Sequence, residues 1–346
     1  MCAHHHLYSA LARGMPAPPR TPTAFREILE QVWWRLDQAL DLEMIAASAR
    51  LGALEALEAG CTAIIDHHES PNAIDGSLAV ITDACAEIGV RVDCSYGVTD
   101  RHRTAGESST GMSAAALAGL AENERHLRAG GRGHVGVHAA FTCTDDTLHA
   151  AAGLAADLGV GVHVHVAEGP DDADAHQRLT GLTTTDWLLI HGVHLPDDHG
   201  LAGTIVHNPR SNMNNAVGYA RPARFRGPVA LGTDGIGADM LDEHRVSFVR
   251  HREDDVTAGP DVAWSWLATG WDLFPEATAD RVRWNYSPME PWHLAYSTGV
   301  AARDVWVAGR DGSCEQVLAD GRATRVDPEQ IRAHATEAAA RLFSRL

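Results

Sequence analysis

Short apolar runs rich in β-branched residues alternate along the chain with longer segments whose apolar residues recur at helical spacing. The short runs predict strands, each ending in polar or glycine residues. These runs cover residues 1–6, 62–66, 90–96, 134–139, 160–165, 187–191, 204–207 and 228–234. The clearest helical segments between them are 23–59, 76–88, 113–129 and 145–158. Such alternation predicts parallel strands joined by right-handed crossovers.

The number of predicted strands indicates the fold class. Eight strand–helix units favour a closed (β/α)8 barrel of the TIM type over an open sheet, because such barrels span roughly 250 residues as one domain. We therefore expect a barrel domain over residues 1–275. The pattern weakens beyond it, and residues 276–346 predict a remnant of a small β-sandwich followed by a terminal helix with Asp327 as its N-cap.

Charge and hydropathy exclude several classes of partner. The formal net charge is −18, whereas a nucleic-acid or anionic-membrane partner requires a basic surface. The sequence shows neither an apolar run of about 18 residues nor a secretory signal, so we expect a cytoplasmic protein. Of its 346 residues, 45% are hydrophobic, which is enough to bury a substantial core. The six cysteines include no C-x-x-C pair and are expected to be small buried residues.

The basic residues narrow the possible chemistry further. All 28 of the Lys+Arg residues are arginine, so a lysine Schiff base, a phosphate-binding P-loop lysine and a carboxylated lysine bridging two metals are excluded. Histidine is abundant, with 21 residues. A GC-rich codon bias would also remove lysine and enrich histidine, so the positions of the histidines carry the information rather than their number.

The barrel hypothesis predicts that chemistry lies at the carboxyl ends of the strands. Polar side chains are indeed concentrated there. The predicted strand ends carry His4, His6, Asp66, His67, His68, His138, His165, His191, His207 and Asp234.

Four of these side chains form a candidate metal site. His4 and His6 alternate along one strand, so both point to the same face. His165 from the fifth strand and Asp234 from the eighth would complete a nitrogen-rich site for one Zn(II) or Fe(II) ion, with a position left for water. Three alternatives stay open: a purification-tag remnant or surface run for His4 and His6, His163 as the ligand in place of His165, and a turn role for Asp234 in "GTDG".

Two further residues are candidates for proton transfer. Glu168 follows His165 by three residues, where a carboxylate faces substrate without binding the metal. His191 ends the sixth strand and is placed to orient or deprotonate a metal-activated water, with His194 as its competitor. Weaker candidates are substrate contacts from His68, His138 and Arg210 and a pocket cap from Trp292.

The motifs in this order resemble the amidohydrolase superfamily. They are H-x-H at 4–6, "HVAE" at 165–168, "HGVHL" at 191–195 and "GTDG" at 232–235. The set is most similar to the branch containing guanine deaminases, S-adenosylhomocysteine-type deaminases and triazine chlorohydrolases. The resemblance implies one divalent metal, Zn(II) before Fe(II), held by His4, His6, His165 and Asp234. It also implies proton handling by Glu168 and His191, with Asp234 counted as both ligand and catalytic residue.

The function expected from the resemblance is hydrolysis of a non-peptide C–N bond in a small cyclic, nitrogen-rich compound, with deamination as the main reaction. Cyclic amide hydrolysis and dehalogenation are alternatives, as are an Fe(II) oxygenase and a truncated metal-binding remnant without turnover. The family usually begins with strands of a small β-sandwich, whereas three residues precede His4 here, so we expect those strands to be missing. A small-molecule substrate and a homodimer complete the expectations.

Overall fold

The computed structural model describes residues 1–287, 290–309 and 311–346. The strands in these residues are β1 Cys2–His5, β2 Ala63–His68, β3 Arg91–Tyr96, β4 Val135–Ala139, β5 Val162–Val166, β6 Leu188–His191, β7 Thr204–His207, β8 Val229–Leu231, β9 Arg281–Trp284, β10 Ala302–Ala308, β11 Cys314–Ala319 and β12 Arg322–Ala323. The first eight lie where the hydrophobic pattern predicts them, to within one to three residues at each end.

The α-helices are α1 Phe25–Ile28, α2 Trp34–Ala39, α3 Leu42–Glu58, α4 Ser77–Ile88, α5 Ala114–Arg128, α6 Asp145–Leu158, α7 Ala175–Leu179, α8 Pro209–Asn214, α9 Met240–Asp254, α10 Pro260–Leu273, α11 Pro291–Tyr296 and α12 Pro328–Phe343. Short 3₁₀ helices occur at Leu7–Ala12, Ala140–Thr142, Pro170–Asp172, Pro222–Arg224 and Pro275–Ala279. A single π-helical turn, Leu29–Trp33, joins α1 to α2.

The predicted single helix over 23–59 is wrong, because the chain breaks at Leu40. That residue is extended, with φ −72° and ψ 142°. The Asp41 side chain then caps α3 by accepting a hydrogen bond from the Met44 amide at 2.9 Å. The cap predicted at Asp327 is confirmed, since its side chain accepts from the Glu329 amide. No α-helix lies between β6 and β7, so strand and helix do not alternate at that point.

The first eight strands are parallel and form two sheets, ordered β1-β2-β3 and β4-β5-β6-β7-β8. Isolated parallel bridges join the ends of these sheets, one between His5 and Asp234 and one between Val98 and Val137. The His4 carbonyl accepts from the Asp234 amide at 3.1 Å, which brings the end of β8 beside β1. The predicted parallel α/β organisation is confirmed.

Apolar side chains from both parallel sheets meet in one interior cluster. Its buried members are Ala3, Ala63, Ile65, Leu188, Ile190, Val206, Ala230, Phe274 and Ala277. The larger core lies outside the strands, where α3, α4 and the other helices cover them. Five cysteines are buried as predicted, but Cys314 is exposed on β11.

The carboxyl-terminal strands form an antiparallel sheet ordered β12-β11-β10-β9. It packs beside the parallel strands, and a Cβ built on Gly60 would lie 2.5 Å from the Trp284 ring. Helix α12 packs on α3 through buried residues such as Leu342, with an Arg332–Glu58 ion pair at its edge. Among the described helices, none is both long and apolar enough to span a bilayer.

Candidate metal and active site

The carboxyl ends of β1, β5, β6 and β8 bring a cluster of imidazoles and one carboxylate together. One ligand atom each from His4, His6 and His165 lies within 4.8 Å of the others, and the same holds for His4, His191 and Asp234. The Asp234 Oδ1 atom lies 3.0 Å from His6 Nε2 and 3.5 Å from His4 Nε2. His6 Nε2 and His165 Nε2 are 3.2 Å apart. The four side chains predicted as ligands therefore lie in one cluster, in which His6 is close to both His165 and Asp234, although their role as ligands stays a prediction.

Backbone carbonyls fix the orientation of two of these rings. His6 Nδ1 lies 2.6 Å from the His67 carbonyl, and His165 Nδ1 lies 2.6 Å from the His138 carbonyl. A carbonyl only accepts, so each Nδ1 carries the proton and donates it. In the neutral form of each ring, the Nε2 atom is then left with a lone pair directed at the cluster, which is the tautomer that a metal ligand requires.

The third ring, His4, is oriented by a chain of side chains. Ser95 Oγ donates to the Asp66 carbonyl at 3.1 Å and accepts from His163 Nδ1 at 3.2 Å. His163 Nε2 therefore accepts from His4 Nδ1 at 2.9 Å. This leaves a lone pair on His4 Nε2 as well. His163, considered from the sequence as an alternative ligand, instead lies behind His4 as its hydrogen-bond acceptor.

Two ring nitrogens of the cluster lack a partner within the described part of the chain, and Asp234 is paired with His6. His4 Nε2 and His191 Nε2 are buried and have no hydrogen-bond partner among the described residues. Burial lowers the pKa of His6, but the adjacent Asp234 carboxylate offsets this and raises it to about 9. Burial opposes ionisation of Asp234, yet its contacts with His4 and His6 hold its pKa well below the usual range. A cation placed among these atoms would satisfy both the lone pairs and the carboxylate.

Glu168 and His191 lie together beside the cluster. Glu168 Oε2 is 3.4 Å from His191 Nε2, and Asn215 Nδ2 donates to Glu168 Oε1 at 3.4 Å. Burial raises the pKa of Glu168 to about 7, against the lowering effect of His191. A carboxyl with that pKa can both accept and release a proton near neutral pH. Asn212 Oδ1 lies 2.8 Å from His191 Nδ1 and orients its ring.

Three residues around the cluster have left-handed backbone conformations. They are Ala167, His191 and Asp234, with φ of 50°, 73° and 55°. A non-glycine residue in this region carries a strain of about 1–3 kcal/mol, and such strain is concentrated at functional sites. Here it lies at or just beyond the ends of β5, β6 and β8, where the chain must turn while the side chains stay directed at the cluster.

The cluster opens into a cavity of about 790 Å³, including its open mouth. Aromatic and aliphatic walls come largely from the segment around α1, the π turn and α2. They include Tyr8, Phe25, Leu29, Trp33, Trp34 and Phe141. The acidic side chains that line the cavity are Asp37, Glu69, Glu168, Asp172 and Asp234. An apolar cavity with a few converging polar groups is typical of a site for a small molecule.

The structure separates the weaker sequence candidates. His138 lines the cavity, and its role as a substrate contact stays a prediction. His68 is not part of the lining, since its Nε2 atom bonds Ser70 Oγ at 2.9 Å. Arg210 also lies outside the lining, because Glu243 binds its guanidinium and its amide. Trp292 is stacked on Tyr296 at 5.8 Å and does not cap the cavity.

Several residues that shape the site were not singled out from the sequence. Ser211 donates to Asp234, and Asn215 donates to Glu168. Ser211 and Asn215 are four residues apart, so they lie on the same side of α8 and its C-terminal end. The polar run "NPRSNMNN" directly after β7 is the signal that could have found them. Asp37 and Arg101 lie in a predicted helix and a loop, with no motif to mark them.

The fold and the cluster together indicate a class of protein. Parallel strands in an α/β fold present a histidine–carboxylate cluster at their carboxyl ends, which is typical of metal-dependent enzymes. The Amidohydrolase family model matches residues 1–267, and the chain belongs to this family. The resemblance seen in the motifs is thereby confirmed.

Curated relatives of the chain carry deaminase names. The 5'-deoxyadenosine deaminase of Methanopyrus kandleri is 29% identical, over 91% of this chain and 80% of the relative. The 8-oxoguanine deaminase of Pseudomonas aeruginosa is 28% identical, over 77% of this chain and 67% of the relative. The 5-methylthioadenosine/S-adenosylhomocysteine deaminase of Symbiobacterium thermophilum is 28% identical, over 72% and 60%. The chain thus spans less than two thirds of the length of the last relative.

Solved structures share the fold. An adenosine deaminase from Xanthomonas campestris, with bound zinc, superposes with a TM-score of 0.79 at 21% identity, covering 99% of this chain and 84% of the other. An atrazine chlorohydrolase from Arthrobacter aurescens, complexed with zinc, gives a TM-score of 0.72 at 19% identity, covering 98% and 87%. At these identities the likeness establishes the fold alone.

Proposed function

We propose that the chain is a metal-dependent aminohydrolase that deaminates a small cyclic, nitrogen-rich compound. The observation that carries the proposal is the clustering of His4, His6, His165 and Asp234 beside a cavity that Glu168 lines together with His6, His165 and Asp234. Membership in the amidohydrolase family and the deaminase names of the relatives support it.

One divalent metal would be held by His4, His6, His165 and Asp234. The lone pairs left on the histidine Nε2 atoms and the ionised carboxylate are the donor set that Zn(II) prefers, and the same set suits Fe(II). Zinc is the first choice because the adenosine deaminase and the atrazine chlorohydrolase described above contain it. The bound metal supplies Lewis acidity, which lowers the pKa of water from about 15.7 toward about 7.

The remaining chemistry belongs to Glu168 and His191. Water adds to the ring carbon that bears the amine, the C–N bond breaks, ammonia leaves and a carbonyl forms. Glu168 moves one proton of the attacking water to a ring nitrogen, and then moves the second proton, from the hydroxyl formed on that carbon, to the departing amine, which its pKa of about 7 permits. His191 Nε2 orients the water and steadies the oxygen that it delivers.

The order of the parallel strands also bears on whether the two sheets form one barrel. We propose that the eight parallel strands close into one barrel spanning residues 1–275, and that residues 276–346 form the sandwich remnant and terminal helix. The interior cluster drawn from β1, β2, β6, β7 and β8 and the bridges His5–Asp234 and Val98–Val137 support closure. A homodimer and a cytoplasmic location remain predictions.

The test combines metal analysis with an ammonia screen. Purified protein loaded with Zn(II) should release ammonia from at least one member of a panel of aminopurines, aminopyrimidines, pterins and triazines. Glu168→Gln should keep the metal and lose about 10²- to 10⁴-fold in kcat. A fully metal-loaded protein without ammonia release on any of these compounds would count against deamination. Oxygen consumption with Fe(II) would favour an oxygenase instead.

A further inference from the structure

A second polar group lines the same cavity and takes no part in the chemistry described so far. It consists of Asp37, Glu69 and His138, with Arg101 behind them, and we call it the acidic pole. Arg101 Nη2 bonds Asp37 Oδ2 at 2.6 Å and also bonds Glu69 Oε2. The Arg101 guanidinium lies 4.8 Å from the centre of the Trp34 ring, which holds it in place.

Within the described residues, the acidic pole contains an unpartnered buried acceptor on Asp37 and an unpartnered buried donor, Arg101 Nη1. Two carboxyl groups, those of Asp37 and Glu69, share the one guanidinium of Arg101. The Asp37 side chain is only 1% exposed, and its Oδ1 atom has no hydrogen-bond partner among the described residues. Burial and the neighbouring Glu69 carboxylate raise the pKa of Asp37 well above its usual range. A buried carboxylate oxygen without a donor is unfavourable, so the site favours a ligand that supplies one.

His138 adds another acceptor. Thr142 Oγ1 donates to the Ala139 carbonyl at 3.0 Å, so it accepts from His138 Nδ1 at 2.8 Å. His138 Nε2 therefore carries a lone pair and no proton, and it lies 3.5 Å from Glu69 Oε1. Two acceptors at that distance repel each other unless a donor lies between or beside them.

These acceptors lie next to the proposed metal site. The His138 carbonyl accepts from His165 Nδ1, and the two rings are 5.6 Å apart between centroids. The Trp34 ring is 6.4 Å from the His138 ring and forms part of the wall beside it. The acceptor His138 is thus in direct contact with the proposed metal ligand His165.

The cavity also selects by charge. Five acidic side chains line it, and no arginine is among the described lining residues. Arg101 is neutralised by two carboxylates, and Arg210 is bound to Glu243. A phosphate or carboxylate on the substrate would find no arginine to pair with among the described lining residues.

We propose, resting on the proposed function, that the substrate is a neutral or cationic planar free base. Its ring N–H groups, on the edge away from the leaving amine, donate to Asp37, Glu69 and His138. Nucleosides, in which a sugar replaces a ring N–H, and compounds that carry phosphate or carboxylate are poor substrates.

The experiment compares matched substrates on the Zn(II)-loaded enzyme. Each aminopurine or aminopyrimidine base is assayed for ammonia release beside its nucleoside and its nucleotide. We expect kcat/KM for the base to exceed that for the nucleoside by at least about 10-fold, with the nucleotide weaker still. A preference for the nucleoside or the nucleotide overturns the proposal, since sugar hydroxyls or phosphate would then be the recognised group.

The variant Asp37→Asn keeps the shape of the side chain but replaces one acceptor oxygen by an NH₂ donor. It should raise KM for the base about 10- to 100-fold with a much smaller change in kcat, while the melting temperature reports that the protein is folded. The matched control Asp75→Asn changes a carboxylate that is 97% exposed and should behave as wild type. An unchanged KM in folded Asp37→Asn overturns the proposal.

A binding arm separates this inference from the proposed function. Calorimetry with Glu168→Gln protein measures the binding of free bases without turnover. One result would be that no compound releases ammonia, yet free bases bind and Asp37→Asn lowers their affinity. In that case the proposed recognition of a free base stands and the proposed deamination fails. If ammonia is released while the binding of the base is independent of Asp37, deamination stands and the recognition fails.

Discussion

Each proposed ligand histidine donates its Nδ1 proton to a fixed acceptor, and the acceptors are of two kinds. His6 and His165 use backbone carbonyls, whereas His4 uses the His163 ring. A carbonyl accepts in any state, but an imidazole accepts only as long as its own proton stays on the other nitrogen. Ser95 fixes that proton on His163 Nδ1. The orientation of His4 therefore depends on two side chains that never reach the cluster.

This dependence gives a prediction for His163. In His163→Ala the His4 Nδ1 proton loses its acceptor, so Zn(II) affinity should fall about 10- to 100-fold, as is usual when the hydrogen-bond partner of a ligand is removed. His163→Gln offers an amide oxygen and should recover part of the affinity. Competition with a chelating dye measures the effect, and the exposed His149→Gln serves as control. Wild-type affinity in folded His163→Ala would contradict the role.

At the scale of elements, the wall of the cavity depends on one irregular helix. The π turn Leu29–Trp33 adds a residue to the turn between α1 and α2, and both of its end residues line the cavity. Such turns are common at functional sites. The helix is held over the cavity by Arg26, whose guanidinium lies 5.4 Å from the Phe141 ring centre, and by contact of Phe25 with the backbone at Gly169.

Gly169→Ala tests this wall. A Cβ at that position would lie 2.5 Å from Phe25 Cδ1, so the Phe25 ring must move. We expect KM to rise several-fold while kcat and the melting temperature change little, because the metal cluster is not touched. The matched control is Gly153→Ala in α6, where a Cβ meets nothing within 4 Å and should stabilise the helix by about 0.5–1 kcal/mol. Equal KM values for the two variants would show that Phe25 does not shape the cavity.

At the scale of the whole molecule, distant parts of the chain hold the site together. The cluster joins residues near positions 5, 165 and 234, and α12 near the carboxyl terminus packs on α3 close to the amino terminus. Arg345 bonds the Ala39 carbonyl at 2.8 Å and Asp41 at 2.6 Å, which ties the last residues to the start of α3. Loss of these contacts at the carboxyl terminus is therefore expected to destabilise α3.

Leu342→Ala measures that contribution. The side chain is fully buried in the core, and its truncation should lower the free energy of unfolding by about 2–4 kcal/mol. Chemical denaturation followed by circular dichroism gives the value. Val256→Ala, at a position that is 76% exposed, should change stability by less than about 0.5 kcal/mol. Similar losses in both variants would mean that α12 is not part of the cooperative core.

Removal of the metal should affect the stability of the whole folded chain. A metal that binds only the folded chain stabilises it by RT ln(1 + [L]/Kd), which is about 4 kcal/mol at 1,000 times Kd. Dialysis against a chelator should therefore lower the melting temperature, and added Zn(II) should restore it. His165→Ala protein should show little response to either treatment. A wild-type melting temperature that is insensitive to chelator and zinc would argue against the proposed metal site.

The local pattern predicted the strands well because strand formation depends on alternation within a few neighbouring residues. It failed at Leu40, where one extended residue and the Asp41 cap divide a continuous helical pattern. It also gave no sign that His68 and Arg210 turn away from the cavity, because Ser70 and Glu243 compete for their side chains. Such competition is decided by packing across the fold.

The sequence by itself determined the parallel α/β organisation and the absence of lysine chemistry, and it predicted His4, His6, His165, Glu168, His191 and Asp234 as the candidate site, because periodicity and motif spacing are local properties. Only the tertiary structure decided which Nδ1 atoms donate to which acceptors and that His163 supports His4. It alone brought Asp37, Glu69 and Arg101 together at the cavity. The reason is that a buried hydrogen bond depends on the positions of two groups in space, and residues far apart in the chain carry no local sign of their meeting.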